Sequence, residues 1–284
     1  MKYFITGITG TLGQAVTKIL LKNPKNTIIG YSRDELKQSQ LPKHKRLTLV
    51  LGDVRDKRRV VESTRGVDLI FHFAALKRVD KLEENPEEAI ATNVMGTENI
   101  LHAQRVNKIK RVVLSSTDKA CYSINTYGHC KALAEKLVLR NPNNIVCRYG
   151  NVLASRGSVV PVFVNSLKDG KYADITHTQM TRFFIRIEDA AKFVVRSSMK
   201  KNGGLNIPKM KASYMTDVVR AISEILGIPT KAMTINLVGI RPGEKIHECL
   251  RMDHEGESVS SLSSDHFTQK ELIKLLRPVV ESLS

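Results

Sequence analysis

The sequence predicts an α/β fold, a doubly wound parallel sheet followed by a smaller, mixed C-terminal lobe. Three features carry this expectation. Short β-branched runs alternate with longer helical patterns through the first half of the chain, the order of a parallel sheet with right-handed crossovers. Several of those runs are apolar at nearly every position, as strands covered on both faces are. A glycine-rich turn joins the first run to the first helical pattern.

Taken in order, strands are expected at 2–6, 27–31, 47–51, 69–73, 111–115 and 145–149. Leu12, Val16, Ile19 and Leu20 share one helical face, and Pro86, favoured in a first helical turn, opens a long helix reaching about 107. After Asn151 the alternation loosens into Gly, Pro and polar turns, with helices expected at 159–168, 187–198, 215–226 and 268–283. The expected division is a dinucleotide-binding core over 1–158, rejoined by a return helix within about 185–206. A substrate lobe of 159–184 and 207–284 closes over the carboxyl edge of the sheet. The serine-rich stretch 258–264 reads as a solvated loop, and there is no internal repeat.

Bulk properties narrow the function. With 42% hydrophobic and 26% charged residues in 284, the chain has the composition of a globular protein, not a disordered one. No stretch approaches the roughly 20 apolar residues of a membrane span, and the first residues lack the apolar core of a signal peptide. Cys121, Cys130, Cys147 and Cys249 show neither C-x-x-C spacing nor a partnering His motif, so reduced thiols, a cytoplasmic setting and no metal are expected. The net charge of +17 gathers at 43–46, 55–59 and 108–111. Such a surface attracts phosphate-bearing small molecules. No basic stripe interleaved with aromatics accompanies it, which argues against nucleic acid as a partner.

Gly7-Ile8-Thr9-Gly10-Thr11-Leu12-Gly13 leaves the first strand and opens the first helix, the context a dinucleotide loop of the Rossmann type requires. Gly7 permits the tight turn, Gly10 lets backbone approach a pyrophosphate, and Gly13 brings helix and strand close. The helix N-terminus offers free N–H groups to the anion. A site preferring NAD places an acid at the end of the second strand. Here Tyr31 stands there, followed by Ser32 and Arg33, with Lys37 a turn further, a set suited to a 2′-phosphate and hence to NADP. Asp34 would restore NAD binding if the strand ended later. Asp53-Val54, after the third strand, is placed to meet the adenine.

The fifth strand ends in Ser115-Ser116-Thr117-Asp118-Lys119, and Tyr127 and Lys131 follow with helical i,i+4 spacing. A free tyrosine has a pKa of about 10. A neighbouring ammonium favours its phenolate and makes it a usable base.

With these motifs in place, the chain resembles the extended short-chain dehydrogenases/reductases, and within them the UDP-N-acetylglucosamine 4,6-dehydratases. The likeness runs through the glycine loop, 31–38, 74–77, 117–120, 127–131, 149–152, 155–161, 180–183 and 241–245. It is strongest to the soluble enzymes that invert C5. The resemblance implies cofactor contacts from Thr9, Thr11, Leu12, Ala74, Ala75, Lys77, Asn93, Ser115, Tyr127 and Lys131. It implies catalysis by Thr117, Asp118, Lys119, Tyr127 and Lys131, and sugar-nucleotide contacts from Lys77, Asn151, Val159, Pro161, Arg182, Arg241 and Glu244. It also implies a homo-oligomer, dimer or hexamer. Arg241-Pro242-Gly243 reads locally as a turn holding Arg241.

Lys at 119, where dehydratases of dTDP- or UDP-glucose generally carry Glu, is the pattern of the enzymes acting on UDP-N-acetylglucosamine. The implied chemistry is oxidation at C4 with Tyr127 as base, loss of the C5 proton to neutral Lys119, protonation of the leaving C6 hydroxyl by Asp118, and return of hydride to C6. Cys121-Tyr122-Ser123 departs from the family's smaller residues, His177 and Gln179 vary the stretch before Met180, and the chain ends soon after its last helix; these bear on acceptance of the acetamido group and on oligomer size. Two rival readings stay open: a 4-epimerase on the same sugar nucleotide, and a non-catalytic NADP-sensing module.

Overall fold

The runs rich in Val, Ile, Leu and Phe fold as expected. In the computed structural model, which describes residues 1–153, 158–170, 172–229 and 235–283, the chain begins with β1 (Lys2–Thr6), α1 (Thr11–Leu20), β2 (Thr27–Ser32), α2 (Glu35–Ser39) and β3 (Leu47–Leu51). It continues through α3 (Lys57–Ser63), β4 (Leu69–His72), α4 (Val79–Glu84), α5 (Pro86–Ala89), α6 (Gly96–Val106), β5 (Arg111–Thr117), α7 (Thr126–Leu139) and β6 (Ile145–Tyr149). Next come β7 (Asn151–Val152), α8 (Val159–Lys168), β8 (Ala173–Ile175), β9 (Thr181–Ile185), α9 (Ile187–Ser198) and β10 (Gly204–Asn206). The last elements are β11 (Lys211–Tyr214), α10 (Met215–Ile225), β12 (Ile235–Leu237), β13 (Cys249–Arg251), β14 (Val259–Ser260) and α11 (Gln269–Ser282).

The chain divides into two units, Met1–Arg148 with Glu188–Ile207, and Tyr149–Ile187 with Pro208–Ser284. The first holds a seven-stranded parallel sheet in the order β10-β6-β5-β4-β1-β2-β3. Strand order reverses between β1 and β4, and ligands of doubly wound sheets sit at the carboxyl ends of the strands flanking such a switch. Here those ends are Thr6-Gly7 and His72-Phe73. Phe4, Ile70, Val112, Val138 and Val146 form the core around the sheet.

Local departures have local causes. The helix expected from Pro86 to about 107 is interrupted by a π-helical stretch, Ile90–Met95, which carries Thr92 and Asn93 as buried residues. The fifth strand runs on to Thr117, so the polar residues after Leu114 are still extended backbone and Asp118 opens a 3₁₀ turn, Asp118–Ala120. Part of the basic charge is structural. Arg46 donates to the carbonyls of Leu21 (2.7 Å), Asn23 (2.7 Å) and Asn26 (2.9 Å) beyond the end of α1. Buried Arg111 does the same for Ser198 (2.9 Å), the last residue of α9, and for Lys200 (2.5 Å) and Lys201 (3.1 Å) just beyond it. A guanidinium there satisfies carbonyls that the helix leaves without partners.

The second unit contains a three-stranded sheet, β11-β9-β7, and two-stranded pairs β12-β8 and β13-β14. Its core is built by helical spacing: Val160, Phe163, Val164 and Leu167 on α8, Val218, Val219 and Ile222 on α10, and Leu272, Leu276 and Val280 on α11. A capping box between Thr268 and Glu271 starts α11. The chain enters this unit at Tyr149, earlier than 158, because β7 pairs with β9 there. The serine-rich stretch is not simply a solvated loop. Within it β14 pairs with β13, and Ser261 is fully buried with its Oγ 2.7 Å from Thr181 Oγ and 2.8 Å from the Glu248 N–H it accepts.

Candidate functional site

The glycine loop is a cradle with no room for side chains. Gly7 has φ +67°, and a Cβ there would lie 2.9 Å from both Ala74 N and Phe73 C. At Gly13 it would lie 2.5 Å from Gly7 O. Gly10 caps α1 without any side-chain hydrogen bond, so the first-turn N–H groups of that helix face outward uncapped. Thr9 is buried, its carbonyl accepting from Gln14 Nε2 at 3.0 Å, while Thr11 and Leu12 are half-buried in the first turn. This loop at the switch point fits the diphosphate of a dinucleotide, with positive helix-end charge aimed at it.

At the end of β2, Tyr31 is fully buried, its hydroxyl donating to Asp53 O at 2.9 Å, and burial raises its pKa. It belongs to the core. Arg33 is exposed and touches Asp53 only at 3.5 Å, so its guanidinium remains available to an anion. Lys37 pairs with Asp34, whose carboxylate also caps α2. Ser32 Oγ accepts from Gln38 Nε2 at 3.0 Å. Burial pushes the Asp53 carboxyl up, but hydrogen bonds from Arg55 and the charge of Arg33 outweigh it and hold the group below its ordinary value. Val54 is buried against α6, its Cγ2 the atom that a Cβ on Gly96 would meet at 2.8 Å.

The segment after β4 is held from both sides by residues that sequence reasoning did not single out. Thr6 Oγ accepts from the N–H groups of Phe73 and Ala74 (both 3.1 Å) and sits 2.8 Å from His72 Nδ1. His72 Nε2 is 3.1 Å from Thr97 Oγ, which donates to Asn93 O at 2.7 Å. These partners leave one proton on the ring, at Nε2. Burial and the charge of Lys131 push the pKa of His72 down to about 3, so it stays neutral. Asn93, expected to touch cofactor, spends its amide on Leu76 N (2.8 Å) and Leu76 O (2.9 Å), because the π-helical stretch places it there. It therefore positions the loop that carries half-buried Ala74 and Ala75 and exposed Lys77. The available signal was a polar residue ending each of two apolar strands, Thr6 and His72.

The acid–base residues converge. Asp118 is fully buried, and its Oδ1 accepts from Thr117 Oγ (3.0 Å) and Lys119 Nζ (3.0 Å). Asn125 caps α7 through Gly128 N, and a Cβ on Gly128 would lie 2.3 Å from Lys119 O, so helix and turn are locked together. Burial pushes the Tyr127 phenol up to about 12, Lys119 pulls it down, Asp118 pushes it up, and a hydrogen bond with Thr117 pulls it down. The expected fall in the phenol's pKa is thus overcome by burial in the protein alone. Lys131 donates to Ser115 O at 2.7 Å, and burial lowers it to about 8, opposed by Glu135 one turn on. Glu135 is itself buried and paired with Arg148 at 2.5 Å. Removing either partner alone would strand a buried charge, at a cost of about 3–5 kcal/mol.

In the second unit Asn151 lies on β7 opposite Phe184, and Val159 and Pro161 are half-buried in the first turn of α8. Of the motif preceding them, Ser155, Arg156 and Gly157 lie outside the described residues. Arg241 is exposed, Gly243 has φ +74°, and Glu244 returns to the turn through Arg241 N (3.4 Å), as the Arg-Pro-Gly turn predicts. Arg182 is drawn inward. It is buried, and its guanidinium donates to the carbonyls of Thr181 (2.8 Å), Lys245 (2.8 Å) and Ile246 (3.0 Å), stapling the 244–248 segment to β9. The guanidinium also faces the carboxylates of Glu244 (3.6 Å) and Glu248 (4.0 Å).

A parallel sheet of this order, a glycine cradle at its switch point and a Tyr-x-x-x-Lys helix define an extended short-chain dehydrogenase/reductase. The chain belongs to the family described as polysaccharide biosynthesis protein, whose profile matches residues 3–270. It is 42% identical over 261 residues to the UDP-N-acetylglucosamine 4,6-dehydratase (inverting) of Campylobacter jejuni subsp. jejuni serotype O:2, covering 87% of this chain and 76% of that protein. It is also 42% identical over 262 residues to a UDP-glucose 4-epimerase of Rickettsia akari, with the same coverage of 87% and 76%. The solved structure of Pen from Bacillus thuringiensis matches with a TM-score of 0.90 at 28% identity, over 97% of this chain and 96% of that one. DesIV, a dTDP-glucose 4,6-dehydratase from Streptomyces venezuelae with NAD and TYD bound, matches in fold with a TM-score of 0.80 at 21% identity, over 99% and 97%.

Proposed function

We propose that the chain is a hydro-lyase, an NADP-dependent UDP-N-acetylglucosamine 4,6-dehydratase that inverts C5. The observation that carries this is the Asp118–Lys119 pair, 3.0 Å apart, with both charges acting on the Tyr127 phenol. Relatives named dehydratase and epimerase are equally identical to the chain, so overall similarity does not choose between them. The pair does. An epimerase oxidises and reduces C4 alone and has no use for an acid at C6 and a base at C5.

Held by the glycine cradle, a nicotinamide dinucleotide would supply the hydride acceptor for C4 and the hydride donor for C6. Tyr127 Oη takes the C4 hydroxyl proton. Lys119 Nζ, in its neutral form, removes the proton from C5, which the new ketone has acidified. Asp118, protonated, gives its proton to the departing C6 hydroxyl. Neutral Lys119 with protonated Asp118 is the same pair as the ammonium–carboxylate, differing by one proton moved along the 3.0 Å hydrogen bond. C5 then regains a proton from solvent on the opposite ring face, as inversion requires, while the proton Lys119 took passes along the 3.0 Å hydrogen bond to the Asp118 carboxylate and Tyr127 releases its own to solvent. Arg241 and Glu244 are proposed for the sugar nucleotide's diphosphate and ribose, respectively.

Incubation with UDP-N-acetylglucosamine in D₂O tests the reading. The expected product has lost one water, carries deuterium at C5, and shows the inverted C5 configuration by NMR. A product of unchanged mass would establish the epimerase instead. For the cofactor, exposed Arg33 is the group proposed to meet the 2′-phosphate. Arg33→Ser is expected to weaken NADP binding about tenfold or more and to leave NAD binding nearly unchanged, measured by fluorescence titration. Equal losses for both would remove Arg33 from that role. The protein is proposed to work in the cytoplasm as a homo-oligomer, and no helix among the described residues is long and apolar enough to cross a membrane.

A further inference from the structure

A buried amide stands beside the end of β2. Gln38, in α2, is only 9% exposed, and its Nε2 donates to three oxygens at 3.0 Å each: Ser32 O, Ser32 Oγ and Val50 O. Two of these partners are carbonyls, which only accept, so the nitrogen end of the amide is fixed. Ser32 Oγ therefore accepts from Gln38, and its own hydrogen is directed elsewhere. Among the described residues no acceptor takes that hydrogen. A nearly buried hydroxyl that spends its acceptor side on the protein and keeps its donor side open is prepared for an acceptor from outside.

The surroundings say which acceptor. Ser32 ends β2, the place where a doubly wound fold meets the adenosine ribose of a dinucleotide. Asp34, the acid that could serve ribose hydroxyls, accepts from Lys37 N at 2.9 Å and pairs with the Lys37 ammonium, so it is engaged by α2. Arg33, next to Ser32, is exposed. A donor hydroxyl and a guanidinium, with the neighbouring carboxylate occupied, suit a phosphate better than a pair of ribose hydroxyls.

Resting on the NADP reading, we propose that Gln38 is a positioning residue for cofactor choice: by donating to Ser32 Oγ it holds the Ser32 hydroxyl as a donor to the 2′-phosphate. Gln38 acts through Ser32 and not by contact with the ligand. The same amide reaches β3 through Val50 O, so the hydroxyl is held against two strands. Without the amide the hydroxyl is free to turn, and Val50 O loses a donor that the hydroxyl can replace only by facing away from a ligand.

The test is a double-mutant cycle of Ser32→Ala and Gln38→Met, read as NADP and NAD dissociation constants by fluorescence titration, with a melting curve for every variant. Methionine keeps the length and volume of glutamine and cannot donate. Each single variant is expected to lose about tenfold in NADP affinity and less than about threefold in NAD affinity. The double variant is expected to lose about tenfold again in total, not about a hundredfold, because the amide works only through the hydroxyl. Losses that multiply in the double variant would mean that Gln38 does not act through Ser32, and overturn the proposal. Equal losses for NADP and NAD, with a lowered melting temperature, would make Gln38 a tie between β2 and β3 and nothing more. Wild type that prefers NADP, with variants that keep the whole preference, defeats the proposal alone. Wild type that binds NAD as tightly as NADP defeats the NADP reading, and the proposal with it.

Discussion

Lys119→Ala is expected to abolish release of the 4-keto product, lowering turnover by at least about 10³-fold while the dinucleotide stays bound. The substitution removes the group proposed to take the C5 proton and leaves the glycine cradle untouched. It also removes the ammonium 3.0 Å from Asp118. A carboxylate that is fully buried and loses its cation is driven toward its protonated form, so the acid at C6 survives while the base at C5 is gone. Oxidation at C4 is then expected to persist, and reduced cofactor to accumulate on adding UDP-N-acetylglucosamine, visible in its absorbance. Asp118 is fully buried, so losing its cation also costs stability, and a lowered melting temperature should accompany the loss while the cofactor stays bound. Normal water loss by the variant, read by mass spectrometry, would remove Lys119 as the base and with it the main ground for separating dehydratase from epimerase.

The chemistry was legible because its residues are contiguous or lie at helical spacing. Gly7, Gly10 and Gly13 announce a loop that backbone geometry enforces, and Tyr127 and Lys131 fall on one helix face whatever else surrounds them. The strands of the sheet were legible for a related reason. A strand covered on both faces has no polar alternation to confuse it, and β1 and β6 begin and end where their apolar runs do.

What escaped the sequence was decided by long-range pairing. Arg182 follows a threonine and precedes two phenylalanines, and nothing in that neighbourhood says that the carbonyls of Lys245 and Ile246 will occupy it. The serine-rich stretch looks solvated until Thr181 is found beside Ser261, 80 residues apart in the chain. The π-helical stretch that turns the Asn93 amide to Leu76 has no signature in composition. Charge misled in the same way. The basic runs contain Arg46 and Arg111, which hold backbone carbonyls near helix ends and add nothing to an anion-binding face.

Gly13→Ala is the substitution expected to damage cofactor binding most. The new Cβ would stand 2.5 Å from Gly7 O, 2.8 Å from Ile8 Cα and 2.9 Å from Ile8 O. All three are backbone atoms, so no side chain can swing aside, and either α1 or the loop after β1 must move. Gly7 has little freedom to give, since it already approaches Phe73 and Ala74 closely and donates to Tyr31 O at 2.9 Å. Displacing α1 shifts the uncapped N–H groups that are proposed to hold the diphosphate. A loss of at least about 10²-fold in NADP affinity, about 2.7 kcal/mol, is expected, with about 1–3 kcal/mol of stability lost to overpacking. Gly10→Ala supplies the control, because its Cβ would meet only Gly7 O, at 3.1 Å, a contact that a few tenths of an ångström relieve. The expected order of damage, in affinity by fluorescence titration and in melting temperature, is therefore Gly13 above Gly10. A reversed order would mean that approach of the ligand to Gly10, more than closeness of helix to strand, governs binding at this loop.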